Sequence, residues 1–118
     1  MNPRAAPRLG FRRAQRLQLA TDFARVLRVR PIEASVHFQL FRAPNPPGPR
    51  LGVIVGKRFV ARSVDRSRVK RLVRECFRTR KFELPAADHV VRVRSPLKVM
   101  DVAALRGELE ALLFAPRT

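Results

Sequence analysis

The chain has 118 residues, enough for one domain with its own core but not for two. Its 26 Lys and Arg against nine Asp and Glu leave a net charge of +17, a self-repulsion best relieved beside a polyanion, so nucleic acid is the expected partner and an anionic membrane surface the rival. A hydrophobic fraction of 46% excludes a basic disordered tail; the single Cys excludes a disulfide framework or multi-Cys zinc site and fits the reducing cytoplasm, and no apolar run approaches membrane-spanning length.

Residues 1–16 combine Pro3 and Pro7 with Arg4, Arg8, Arg12, Arg13 and Arg16 and lack the apolar segment of a secretory signal. They are expected to form a flexible basic arm that orders on binding, with the folded domain at 17–118. Thr21 or Asp22 is placed to cap a short helix with Phe23, Val26 and Leu27 as its apolar stripe, and Pro31 to stop it. Ile32, Ala34, Val36, Phe38 and Leu40 then alternate with Glu33, Ser35, His37 and Gln39, as on a strand with one apolar face. Phe41 breaks that pattern as a large aromatic on the polar face.

Residues 44–49, rich in proline, read as a loop linking antiparallel strands. Leu51 to Val55 reads as a strand apolar on both faces, with Gly52 and Gly56 flanking Ile54 on one of them, where another group can approach the backbone. A helix follows at 64–81, a strand at 89–94, and a last helix capped by Asp101 with Val102, Leu105, Leu109, Leu112 and Leu113 on its stripe. The order is helix, two or three strands, helix, strand, helix. It predicts an α+β fold: a single-domain sandwich of about three helices on a four-stranded mixed sheet.

The helix at 64–81 carries the chemistry. Val69, Leu72, Val73, Cys76 and Phe77 make a core-facing stripe, and at about 100° per residue Ser67, Lys70, Arg71, Arg74 and Arg78 fall opposite. Residues 57–81 hold eleven basic side chains against Asp65 and Glu75. Like charges at i,i+4 repel, and a solvated face normally intersperses acids to relieve this. Their scarcity on a core-anchored helix points to phosphate as the counter-charge. Arg outnumbers Lys by 22 to 4, which suits forked contacts to RNA phosphates and bases.

Arg50-Leu51-Gly52-Val53-Ile54-Val55-Gly56-Lys57-Arg58, a spacer, and Arg66-Ser67-Arg68-Val69-Lys70-Arg71-Leu72-Val73-Arg74-Glu75 resemble the signature of the bacterial ribonuclease P protein family. Phe77-Arg78 and Glu83-Leu84-Pro85-Ala86-Ala87-Asp88 with the strand that follows are similar to its proteobacterial members, and the resemblance runs from about residue 9 to 114. It implies a left-handed β-α-β crossover, against the usual right-handed rule. It also implies a catalytic RNA partner that hydrolyses precursor tRNA with magnesium bound mainly by the RNA, while a monomeric protein side by side with it holds the substrate.

In the family the arginine-rich helix faces the RNA subunit, and the matching positions are Arg66, Arg68, Lys70, Arg71 and Arg74, extended here to Lys57, Arg58, Arg62, Ser67 and Arg78. A cleft between the first helix and the sheet takes the single-stranded 5′ leader; its matching positions are Phe23, Leu27 and Phe41, to which the sheet face adds Gly52, Ile54 and Gly56. Base stacking accounts for an exposed Phe41, whereas the stripe of Phe23 suits the core as well as the cleft. Two positions depart from the family: Ser67 stands for its Asn, and Leu27 for what is often an aromatic.

Two other readings compete. A protein-only nuclease needs groups titrating near neutrality, and only His37 and His89 qualify, provided their strands are neighbours. A structural, ribosomal-type RNA-binding protein fits the charge and the helix equally well but leaves the cleft features without a purpose. Cys76, on the apolar stripe, reads as a small core residue.

Overall fold

The computed structural model describes residues 16–44 and 49–114; most of the basic arm and the middle of the proline-rich loop lie outside the described residues. The elements are α1 (Ala20–Leu27), β1 (Glu33–Ala34), β2 (Phe38–Pro44), β3 (Arg50–Ile54), α2 (Ser63–Arg80) with a 3-10 turn at Lys81–Glu83, β4 (Ala87–Val93) and α3 (Val102–Phe114). They form one four-stranded sheet in the order β1-β2-β4-β3. β4 pairs antiparallel with β2 and parallel with β3, so the sheet is mixed and α2 is the crossover between its parallel pair.

Helices cover both faces. Phe38, Leu40, Leu51, Val91 and Val93 pack against Val69, Leu72, Val73, Cys76 and Phe77 of α2 and Leu105, Leu109, Leu112 and Leu113 of α3. The opposite face carries a smaller core of Leu17, Val26, Phe41, Ala43 and Val90 beneath α1. Each fully buried Val, Leu or Phe contributes about 1.5–3 kcal/mol, so the larger layer is the main source of stability. The α2 stripe predicted from the sequence is buried in full. Asp101 caps α3 through its Oδ1, which accepts from the Ala104 N–H at 3.1 Å; Val102, expected on the stripe, is exposed instead.

The structure corrects three expectations. The single strand predicted over 32–40 is a tight hairpin: Ser35–His37 reverses the chain, the Ser35 N–H donates to the Phe38 carbonyl at 2.8 Å, and Glu33 pairs with Leu40. Ile32 and Val36 therefore lie outside the core, Val36 at 69% exposure, and the alternation restarts at Phe38. The α1 N-cap is Leu19, with no side-chain cap bond; Thr21 and Asp22 sit inside the first turn, where Asp22 still complements the helix dipole. Arg16, assigned to the arm, bridges Leu51 at the edge of β3, and the Leu17 N–H donates to the Leu51 carbonyl at 2.9 Å.

Candidate RNA interface

Because the apolar stripe locks α2 against the sheet, its other side is held outward without choice. Ser67, Lys70, Arg71, Arg74 and Arg78 line a groove of about 380 Å³ there, joined by Glu75 and, from outside the helix, Arg16. The acids of the helix are already engaged. Asp65 lies 3.9 Å from Arg62 and 3.7 Å from Arg68, and Glu75 accepts from Arg78. Among the described residues no carboxylate lies within ion-pairing distance of Lys70, Arg71 or Arg74. Partial burial, and then the neighbouring Arg16 charge, lowers the Arg74 pKa.

Not every predicted contact is equally available. Arg66 turns back to donate from Nη1 to the carbonyls of Val60 and Ala61, at 3.1 and 2.7 Å, and so staples the turn that leads into α2. Lys57 and Arg58 project from that turn, Arg58 stacking 4.6 Å above the Phe59 ring.

On the other face of the sheet α1 lies over β2 and β4 and reaches β3 through Phe23. Phe23 lies directly on Gly52: a Cβ there would come within 2.7 Å of the ring Cζ and 3.1 Å of Leu17 Cδ1, which is why the strand carries glycine. Leu27 and Ile54 pack half-buried beside Phe23 on the smaller core. Along the β3 edge a cleft of about 530 Å³ runs past Phe23, Gly52 and Leu51 to Arg16 and Arg74. Arg16 and Arg74 belong to both the cleft and the groove on α2, so the two are continuous. Gly56 stands apart, in a recess of about 430 Å³ with Ile54, Lys57, Arg58, Arg92 and Arg94, and nothing lies within 4 Å of where its Cβ would be.

Phe41 is not the exposed aromatic that the sequence suggested. It is 3% exposed, part of the smaller core, and its ring is covered by the Arg92 guanidinium, with Cζ 4.8 Å from the centroid. It sits on the predicted polar face because α1 covers that face too. Gln39 and Arg92, missed by the sequence reading, border the recess; the signal available was the alternation Asp88, Val90, Arg92 on β4.

A buried carboxylate fixes α1 over the cleft. Asp88 is fully buried and accepts from Arg50 of β3 and from Arg25 of α1. Hydrogen bonding to Asp88 raises the Arg50 pKa against the opposing effect of desolvation, with Asp22 of α1 adding its charge from 3.6 Å.

The two histidines do not meet. His37 lies opposite Arg94 and His89 opposite Arg42, five strand positions apart, or about 17 Å at roughly 3.4 Å per residue. His89 is fully buried: its Nδ1 accepts from Arg42 Nε at 2.9 Å and its Nε2 faces the Pro85 carbonyl at 3.2 Å, which defines a neutral tautomer. His37 is tied by Nδ1 to Glu108 of α3 at 2.8 Å. Burial pushes the Cys76 thiol up to about 11, as suits an inert core residue. Among the described residues no three His, Cys, Asp or Glu side chains converge as metal ligands, and no helix is long and apolar enough to cross a membrane.

The model of the ribonuclease P family matches residues 11–116. The ribonuclease P protein component of Burkholderia mallei is 41% identical over 112 residues, covering 87% of this chain and 82% of that protein. That of Bordetella parapertussis is 36% identical, covering 89% and 90%. Among solved structures, the Staphylococcus aureus RNase P protein superposes with a TM-score of 0.77 at 28% identity, covering 86% of this chain and 99% of that one. The Thermotoga maritima protein gives 0.72 at 29% identity, covering 87% and 98%. With the three helices on a mixed sheet, the basic α2 face and a family match spanning nearly the whole chain, the protein belongs to the ribonuclease P protein family.

Proposed function

We propose that the chain is the RNA-binding subunit of a ribonuclease P holoenzyme, that its partner is the catalytic RNA, and that it holds the 5′ leader of precursor tRNA during 5′ maturation. The observation that carries this reading is the trio Lys70, Arg71 and Arg74: three cations on a core-locked helix, facing outward, with no described carboxylate to neutralise them. A structured RNA supplies phosphates at fixed spacing to such a face, and each neutralised phosphate releases counterions. Arg62, Arg68 and Arg78 can exchange Asp65 and Glu75 for phosphates at the rim, whereas Arg66 mainly holds the approach to the helix.

The cleft between α1 and β3 suits an unpaired strand. It is open, walled by Phe23 and by β3 from Leu51 to Val53, and it ends on Arg16 and Arg74, so a leader leaving it meets the same cations that face the catalytic RNA. The chain thus lies between two polyanions and screens one from the other. Hydrolysis belongs to the RNA in this reading. The protein's two histidines are about 17 Å apart, and one is locked neutral in the core. Asp65, Glu75, Glu83 and Asp88 are each paired with arginine, and this reading assigns the magnesium ions mainly to the RNA.

Reconstitution tests this. The purified chain, added to a bacterial ribonuclease P RNA at low magnesium, is expected to restore cleavage of precursor tRNA at the mature 5′ end. Failure to promote cleavage under conditions where the RNA is active at high magnesium would overturn the assignment.

A further inference from the structure

Arg92 is an odd cation to find on the sheet. It sits on central strand β4, on the face beneath α1, and among the described residues no carboxylate lies within ion-pairing distance of it. It is held in place by neutral groups. Nε and Nη2 both donate to Gln39 Oε1, at 3.3 and 2.9 Å, and the guanidinium lies 4.8 Å above the centroid of the Phe41 ring. Gln39 is its direct partner across β2 and β4, and Phe41 is the diagonal neighbour on the same face. The guanidinium is therefore anchored from below and from one side before any ligand arrives.

What lies above it is open. Arg92 borders the recess of about 430 Å³ with Gly56, Lys57, Arg58 and Arg94, where the glycine leaves the space unfilled. A guanidinium seated over an aromatic ring at the rim of a recess has a planar surface to offer, and unpaired bases stack on arginine planes as they do on aromatic rings. Phosphates on either side of that base find Lys57 and Arg58, both exposed.

We infer that Arg92 is a substrate-contacting residue: its guanidinium, preset by Phe41 and Gln39, stacks on one unpaired base of the precursor tRNA leader. This rests on the leader reading above and names the surface that does the stacking. Phe41 then acts as a positioning residue beneath Arg92 and does not touch the base.

The test is binding of precursor and mature tRNA to the reconstituted holoenzyme carrying Arg92→Lys, which keeps the charge and loses the plane, and Arg92→Ala. Both are expected to weaken precursor binding by roughly 5- to 150-fold, the range of one base stack, with mature tRNA and assembly with the RNA subunit unchanged. A scan of single abasic positions through the leader, read with the wild-type protein, is expected to find one position that reproduces the loss and at which Arg92→Lys adds nothing further. Wild-type affinity in Arg92→Lys, or no such leader position, overturns the stacking role while leaving the leader reading intact. A wild-type holoenzyme with no preference for precursor over mature tRNA overturns both.

Discussion

Arg50 grips Asp88 with a fork, Nε to Oδ1 and Nη2 to Oδ2, both at 2.8 Å, and the carboxylate it holds is fully buried. The two residues are register partners on β3 and β4, so the fork closes the parallel pair at one end. Arg25 of α1 donates to the same carboxylate, which makes Asp88 the point where helix and sheet are joined on the cleft side. Asp88→Asn removes the charge but keeps the size. It is expected to lower the unfolding free energy by about 2–3 kcal/mol, less than for a fully enclosed pair because Arg25 and Arg50 both reach solvent. Urea unfolding measures this, and an unchanged midpoint would show that the fork contributes nothing net.

Gly52 matters for what rests on it. Gly52→Ala pushes a methyl into the Phe23 ring, and that ring is half-buried at the cleft wall, so it yields by swinging rather than by breaking the core. The expected stability loss is about 1–2 kcal/mol. The larger effect is expected in selectivity: precursor tRNA binding falls while mature tRNA binding is kept. Equal affinities before and after the substitution would remove Phe23 from the substrate site.

On α2 two arginines one motif apart are expected to behave differently. Arg74→Ala should make the salt dependence of RNA-subunit binding shallower, by about 0.7–0.9 in the slope of log K against log salt for one lost phosphate contact. Arg66→Ala loses two hydrogen bonds to the Val60 and Ala61 carbonyls, and its main cost is expected in folding, about 1–2 kcal/mol. Salt titrations of both variants beside their urea curves separate the roles; the reverse pattern would exchange them.

His89 gives the fold a pH dependence. Burial, then the adjacent Arg42 charge, pushes its imidazole down to about 4, while the unfolded chain titrates near 6.5. Between those values the unfolded state binds a proton that the folded state refuses, so stability falls as the pH drops through that window and is unaffected by this group above it. From pH 7 to pH 5 the loss through His89 is about 2 kcal/mol. His89→Gln keeps a donor and an acceptor without the titration. Its stability is expected to fall by about 2 kcal/mol less over that interval than the wild type's, and parallel curves would contradict the assignment.

Where one helix face is apolar, periodicity suffices: the α2 stripe from Val69 to Phe77 and the Asp101 cap of α3 were readable because each is a local pattern. The β1–β2 reversal at Ser35–His37 was not, since it uses no Gly or Pro and the alternation passes through it unbroken. The burial of Phe41 escapes the alternation for a related reason. A strand with alternating residues is taken to have one wet face, yet α1 covers the face on which Phe41 lies. The partnerships that shape the cleft, Arg25 with Asp88 across 63 positions and Arg92 with Gln39 across 53, are long-range pairings that no local window contains.

Whether the chain holds the leader is decided by comparing precursor and mature tRNA. Their dissociation constants are measured for the catalytic RNA alone and for the RNA with this chain, at one salt and magnesium concentration. The chain is expected to tighten precursor binding, with a gain that shrinks as the leader is shortened, and to leave mature tRNA little affected. An equal gain for both substrates, independent of the leader, would contradict this and reduce the chain to a basic scaffold for the RNA.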